Sequence, residues 1–268
     1  MARALQFLRQ NRRHDALWQY QPFLPPDLDD TTAALSAFPA EQEQFSAERM
    51  RTIEAVLNFQ SADGGLQTWL IAPDELRKYG YSGEKFPVAE IHSEVMAYFF
   101  AALSPTERKR YSVQVGRAAN YLLARQKANG SWSTVWYRSD LYATFRVYSF
   151  LFSVCGKDSK CQAALARAER FVLGRQKEDG SWGEKDASVL DTAFALLVLC
   201  QSHPCTESRL ARAWDFLYSK QRPDGAWPAE PFFFLDLSQR EQTQAPRFIG
   251  SELYSTSIVI AALLAARS

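Results

Sequence analysis

No stretch of this sequence approaches the roughly 20 consecutive apolar residues of a membrane span. Its opening, Met-Ala-Arg-Ala-Leu-Gln-Phe-Leu-Arg-Gln-Asn-Arg-Arg, has no apolar run long enough for a signal peptide. No basic stripe is present either. The 31 Lys and Arg residues stand against 30 Asp and Glu, net charge +1, and are scattered among acids, which argues against nucleic acid as a partner. A soluble, cytoplasmic protein is expected, with peripheral membrane contact only if the substrate is a lipid. Cysteine is scarce. Four residues form two close pairs, Cys155 with Cys161 and Cys200 with Cys205, the second enclosing His203. Free thiols are the first expectation for a reducing compartment. Local disulfides and a metal site are the alternatives, although the spacing is not that of a zinc finger. Apolar residues, by contrast, make up 47% of the 268 residues, enough for a sizeable core.

That apolar content is organised as a repeat. A helix-like segment ends in Gln, a Gly-aromatic turn follows, and a second helix-like segment comes after it. The turns read Gln60-Ser-Ala-Asp-Gly-Gly-Leu, Gln126-Lys-Ala-Asn-Gly-Ser-Trp, Gln176-Lys-Glu-Asp-Gly-Ser-Trp and Gln221-Arg-Pro-Asp-Gly-Ala-Trp. Residues 4–20 look like a decayed first copy, with Gln10 and Trp18 but no Gly. The Asn-Gly or Asp-Gly step supplies a left-handed residue that stops the first helix. The Trp packs under the turn, and the Gln amide bonds backbone groups freed at helix ends. These are expected to be structural staples without chemistry.

The two helices of each repeat differ in pattern. Residues 29–38, 90–103, 140–154, 186–200 and 251–266 are apolar nearly all round, as in helices buried on more than one side. The preceding segments are amphipathic, with Arg209, Arg212, Asp215 and Lys220 set against Leu210, Trp214, Phe216 and Leu217. An apolar set inside and an amphipathic set outside predicts an all-α chain. It would form a single α/α toroid domain over residues 1–268, with the inner-helix N-termini gathered at one end. Two long connections, 70–89 and 228–250, lie at that end and read as irregular and functional. Phe232, Phe233, Phe234 and Phe248 in the second either roof an apolar pocket or pack the rim.

One inner-helix start stands out, Asp27-Leu-Asp-Asp-Thr-Thr32. A single acid there serves as an N-cap, and a second favours the helix dipole. A third in the same turn adds like-charge repulsion. If the site is buried, at least one carboxyl stays protonated, and a carboxyl kept protonated in an apolar site is a general acid. On spacing alone, capping and chemistry both stand.

Taken together, these features resemble the squalene–hopene cyclase and class II terpene cyclase family. The Gln-x-x-x-Gly-x-Trp turns are similar to its QW motifs, which are moderately specific. Asp27-Leu-Asp-Asp-Thr-Thr32 is far more specific, resembling the family's Asp-x-Asp-Asp-Thr-Ala motif. Residues 129–144 and 178–199 resemble two further blocks, in the family's order, so the likeness covers nearly the whole chain. It corresponds to the catalytic toroid, or β domain. The second toroid of the larger cyclases has no counterpart here.

What the resemblance implies is a protonation-initiated cyclase, an isomerase acting on a linear isoprenoid. Asp29 is the implied general acid, and Asp27 and Asp30 its flanking partners. The cation formed needs π faces and a water-poor cavity. Candidate substrate-facing residues are Tyr98, Tyr142, Phe145, Phe194, Phe233 and Tyr254, with Trp136 near the rim. Squalene–hopene cyclases also carry a His near the acid. Here Glu94 takes that place, Glu90 takes the place of the acid preceding it, and His92 falls between. Helical spacing would put Glu90 and Glu94 on one face and His92 on another.

Arg138, Arg146 and Arg247 are candidate phosphate contacts or ordinary surface charges. No resident cofactor or metal is expected; Mg²⁺ would assist only with a diphosphate substrate. Metal-ionising chemistry is rejected, because Ala33 and Ala34 occupy the positions an acid-rich metal helix would need after Asp29 and Asp30. The alternative to an enzyme is a non-catalytic isoprenoid-binding protein or a partner subunit of a split cyclase. The corresponding partners are an isoprenoid small molecule, a second copy, or a separate second toroid.

Overall fold

The structure, a computed structural model, describes all residues except 1, 14, 23, 73, 76–78, 80–89, 203–207, 236–246 and 267–268. The chain gathers into two compact units, residues 1–125 and 126–268.

The described elements of the first unit are helices. Its elements are α1 (Ala2–Gln10), α2 (Leu28–Ser36), α3 (Glu43–Leu57), α4 (Ser93–Ala102), α5 (Pro105–Arg110) and α6 (Ser112–Ala124). The apolar helices α2 and α4 pack on each other, and α3 and α6 pack against them. Arg49 of α3 ties the helix ends together. Its Nε and Nη2 donate to Glu107 at 2.7 and 2.8 Å, Nη1 donates to the Leu35 and Phe38 carbonyls at 2.8 Å each, and Nη2 also reaches the Ala102 carbonyl at 3.2 Å. The carbonyls left over at the C-termini of α2 and α4 are thereby satisfied by one buried guanidinium.

The second unit contains α7 (Asp140–Val154), α8 (Ser159–Leu173), α9 (Val189–Leu199), α10 (Ser208–Ser219), β1 (Phe233–Leu235), β2 (Arg247–Ile249) and α11 (Glu252–Ala265). All eleven residues of α9 are buried, and α7, α8, α10 and α11 pack around it. In α10 the apolar Leu210, Ala213, Phe216 and Leu217 are buried while Arg212 and Asp215 are exposed. The division into apolar and amphipathic helices therefore holds within each unit.

The turns act as the expected staples, with more regularity than the motif suggests. Gln60, Gln126, Gln176 and Gln221 each donate through Nε2 to the carbonyl of the turn glycine, at 2.9–3.0 Å. Gln60 and Gln126 also reach the next amphipathic helix, at the Gln114 and Ala164 carbonyls. Trp18, Trp182 and Trp227 each donate their indole N–H to the carbonyl ten residues earlier, Leu8, Val172 and Leu217. Their backbone N–H groups donate to Thr31, Thr192 and Thr256 Oγ1, each at 3.0 Å. Trp18 makes the same pair of bonds as the intact copies, so residues 4–20 are a first copy in structure as well as sequence.

Three expectations are corrected. The helix expected from residue 90 begins at Ser93, because His92 has extended backbone and is the N-cap; that expected from 186 begins at Val189, after a Ser188 cap. The connection 228–250 is not wholly irregular. It carries the antiparallel pair β1–β2, with Phe233 opposite Ile249 and Phe234 opposite Phe248. The thiols are not free either. Cys155, the C-cap of α7, is disulfide-bonded to Cys161 in the first turn of α8, with Cα atoms 5.7 Å apart, and Cys200 is disulfide-bonded too. His203 and Cys205, weighed as a metal site, lie outside the described residues, as does most of the connection 70–89. No helix among the described residues is long and apolar enough to cross a membrane.

Candidate active site

The acid motif lies where three chain segments of the first unit meet. Pro25 and Pro26 precede the start of α2, and Asp27 has extended backbone and caps it. The Asp27 N–H donates to the Trp18 carbonyl at 3.2 Å, and Asp27 bridges Trp69 in antiparallel fashion. Leu28 N–H donates to the Thr68 carbonyl and Leu70 N–H to the Pro26 carbonyl, both at 2.8 Å. Segment 66–70, just after the first Gly turn, thus clamps the start of α2.

Asp27 is 6% exposed. Its Oδ1 accepts the Asp30 N–H at 2.8 Å, whereas Oδ2 is buried and meets no donor. Burial raises the Asp27 carboxyl well above its ordinary range, and the Asp30 charge, a shared side-chain hydrogen bond with Asp30 and the Asp29 charge raise it further. The Asp30 carboxyl is raised by burial and pulled back by the same shared bond. Burial and the neighbouring charges thus favour the protonated form of Asp27. Asp29 sits half-buried in the first turn of α2.

Glu94 is buried in the first turn of α4, the helix packed on α2. The separation expected between Glu90 and His92 is overturned, because the helix that would impose it starts later. His92 Nε2 lies 3.3 Å from Glu90 Oε2, and His92 Nδ1 is 2.7 Å from Thr68 Oγ1. Burial lowers the His92 pKa to about 4, so the imidazole is neutral at pH 7. Through Thr68, His92 is joined to the segment that clamps α2.

The second unit holds an aromatic cluster. Phe232 is its hub, with ring centroids 5.1 Å from Tyr137, Tyr142 and Phe233, 5.5 Å from Phe194 and 4.9 Å from Tyr254. Phe145 stacks on Phe194 at 5.8 Å. Of the aromatics expected to face substrate, Tyr142, Phe145, Phe194, Phe233 and Tyr254 are brought together here. Trp136 joins through its backbone, its carbonyl accepting the Phe234 N–H at 2.8 Å. Tyr98 belongs to the first unit, half-buried on α4. Arg146 lies over the Tyr142 ring, 5.1 Å from its centroid, and donates to the Tyr142 hydroxyl at 3.1 Å.

Sequence reasoning passed over three residues of the second unit. Tyr137 completes the aromatic cluster. Glu230 caps α9, accepting from Ser188 Oγ and from the Val189 and Leu190 N–H groups at 2.5, 2.7 and 3.2 Å. Asp191 is buried beside it, its pKa raised to about 6 by burial, countered by a Ser139 hydrogen bond. Arg138, Ser139, Glu184, Asp191, Glu230 and Phe232 line a cavity of about 200 Å³. The signal for Asp191 was available. Ser188-Val-Leu-Asp-Thr-Ala193 runs parallel to Asp27-Leu-Asp-Asp-Thr-Thr32, with Asp191 in the place of Asp30. Among the described residues, no three Asp, Glu, His or Cys side chains converge as a metal site requires.

Residues 9–235 match the family model described as the squalene-hopene cyclase C-terminal domain. A curated relative, sporulenol synthase of Bacillus subtilis, is 29% identical over 140 residues; the match covers 50% of this chain and 21% of the relative. The chain thus spans about a fifth of that relative's length. Among solved structures, the type II terpene cyclase MstE from Scytonema, in complex with geranylgeranyl dihydroxybenzoate, matches with TM-score 0.77 at 21% identity, over 99% of this chain and 80% of that one. The ent-copalyl diphosphate synthase from Streptomyces platensis matches with TM-score 0.70 at 23% identity, over 100% of this chain and 47% of that one. The fold is accordingly that of the class II terpene cyclases, the α/α toroid.

Proposed function

Because the chain belongs to the squalene-hopene cyclase C-terminal domain family, we propose that it is a class II terpene cyclase. It protonates a terminal alkene or epoxide of a linear isoprenoid through Asp29, cyclises the resulting cation and releases a proton. The substrate is a prenyl diphosphate or a neutral prenylated compound, the second class resembling the ligand bound by MstE. The product is then an isomer of the substrate, equal in mass.

What supports this reading is the buried Asp27 carboxyl two residues before Asp29, whose Oδ2 meets no donor and whose pKa is raised well above its ordinary range, so that it keeps its proton. A proton there removes one negative charge from a cluster of three carboxyls. That keeps Asp29 a stronger acid than it would be between two carboxylates, and protonating an alkene demands a strong acid. Glu94, on the helix packed against α2, is assigned the role of partner to the acid. The π faces of the aromatic cluster around Phe232 are suited to a carbocation. Mg²⁺ has a place only with a diphosphate substrate, and no step assigned here runs through it.

The test is product analysis by mass spectrometry. The protein and its Asp29→Asn variant would be incubated with farnesyl and geranylgeranyl diphosphates, squalene, its epoxide and a geranylgeranylated phenol. A cyclic isomer formed by the parent and lost in the variant is expected. Equal turnover by the variant would remove Asp29 as the acid. No turnover of any compound by the parent would favour a non-catalytic isoprenoid-binding or partner subunit.

A further inference from the structure

Three rings on the apolar helices of the second unit, Tyr142 of α7, Phe194 of α9 and Tyr254 of α11, converge on a ring that belongs to none of those helices. Phe232 lies 4.9–5.5 Å from all three, centroid to centroid, and is 2% exposed. It comes from the connection 228–250 and is mounted on a strap of extended backbone. Its N–H donates to the Ile249 carbonyl at 2.7 Å, and its carbonyl accepts the Arg138 N–H at 3.0 Å. Phe233 bridges Tyr137 and pairs with Ile249, so segments 136–138, 232–235 and 247–249 form one small three-stranded unit. The helix-borne rings are held by helices that pack along one another, α7 and α11 both against α9. Withdrawing Phe232 asks only that the strap lift or the side chain turn.

The strap has a fixed foot, and the ring has room beside it. Two residues before Phe232, Glu230 is fastened to the start of α9 through Ser188 Oγ and the Val189 and Leu190 N–H groups. On the returning side, a Cβ at Gly250 would lie 1.9 Å from the Glu230 carbonyl oxygen, so the two ends of the strap are in close contact there. Phe232 is also part of the wall of the cavity of about 200 Å³ that Leu190, Asp191 and Glu230 help to line. The ring therefore stands between an aromatic enclosure and open space.

A hydrocarbon group surrounded by π faces is what a prenyl chain, and a cation formed from it, requires. In the free protein one of its own side chains fills that place. We propose that Phe232 is a plug in the prenyl site of the second unit, and that a linear isoprenoid binds between Tyr142, Phe194 and Tyr254 by driving the Phe232 ring out. The identity of the ligand rests on the cyclase reading; the plug does not depend on Asp29. Such a plug lowers apparent affinity by the fraction of molecules in which the site is open.

Equilibrium binding of geranylgeraniol to the 268-residue protein, followed by intrinsic fluorescence, tests this. Phe232→Ala removes the plug and should bind about tenfold more tightly than the parent. Phe232→Leu, the milder change should the alanine variant not fold, should also bind more tightly. Phe194→Leu makes the same change in a helix-borne wall and should weaken binding. The proposal is overturned if neither Phe232 variant gains affinity, if no form binds the alcohol, or if Phe194→Leu gains as much as Phe232→Leu, which would make added volume the whole effect. Product analysis separates the two readings. A parent that cyclises substrate while the Phe232 variants bind unchanged loses the plug alone. Tighter binding by those variants in a protein that cyclises nothing loses the cyclase alone.

Discussion

Asp27 caps its own helix through the Asp30 backbone N–H. Its Oδ1 accepts the Asp30 N–H at 2.8 Å, while its Oδ2 is buried without a donor and the carboxyl pKa is raised well above its ordinary range. Capping and a raised carboxyl pKa thus meet in one side chain.

Removing the charge from Asp27 should therefore stabilise the fold. Its folded pKa is raised above the unfolded value, so the folded state binds more protons, and stability falls as pH rises through that window. Asp27→Asn keeps an N-cap oxygen for the Asp30 N–H. It should raise Tm at pH 7.5 by a few degrees and flatten the dependence of Tm on pH. A lower Tm at pH 7.5 would show that the carboxylate is stabilised by its site.

The same sign applies to Asp191, in a more closely defined window. The contribution of its buried carboxyl is fully present below about pH 4 and is lost as pH rises to about 6. The loss amounts to about 2–3 kcal/mol. Urea unfolding at pH 4.5 and 7.5 should show a smaller difference in the Asp191→Asn variant than in the parent. An unchanged difference would locate the pH dependence elsewhere.

Arg49 is buried with all of its donor groups engaged, by one carboxylate and three helix-terminal carbonyls. Lysine has neither the reach nor the fork to replace it. Arg49→Lys should cost about 3 kcal/mol in urea unfolding, since Glu107 and buried carbonyls lose partners. A cost below about 1 kcal/mol would mean that water enters and replaces the guanidinium.

The turn glycines divide into two kinds. At Gly130, φ is +93° and an added Cβ would lie 2.3 Å from the Arg167 carbonyl oxygen; at Gly225, φ is +85° and the same atom would meet nothing. Gly225→Ala should cost about 1 kcal/mol, the strain of a left-handed alanine. Gly130→Ala should cost at least twice that, because backbone must move as well. Equal losses in thermal unfolding would mean that conformation alone, not close approach, fixes both glycines.

Much of this was readable in the chain. The Gln-to-Trp turns and the alternation of amphipathic and apolar segments specify helical hairpins locally. Each helix is encoded by its own periodicity, and three of the turns by a glycine and a Trp placed at fixed offsets from the Gln. The acid motif was visible because three carboxyls in four residues exceed what capping needs. Asp191 was less visible, since a single acid in a first turn looks like an ordinary dipole partner. Phe232 and Tyr137 carried no periodicity to mark them.

Other features were decided only by tertiary structure. The sequence places Glu90 and His92 two residues apart, but where α4 begins determines whether they meet, and that depends on the backbone bond from Thr68 N–H to the Glu90 carbonyl at 2.9 Å. Which carboxyl keeps a proton depends on burial, which the Trp18 and Trp69 segments impose on Asp27 from outside the motif. The bridging of Cys155 and Cys161 depends on the path of a short loop between two helices. Local pattern fixes helices and turns because their energetics are local. Protonation, pairing and exposure are set by neighbours distant in sequence, and only packing brings those neighbours together.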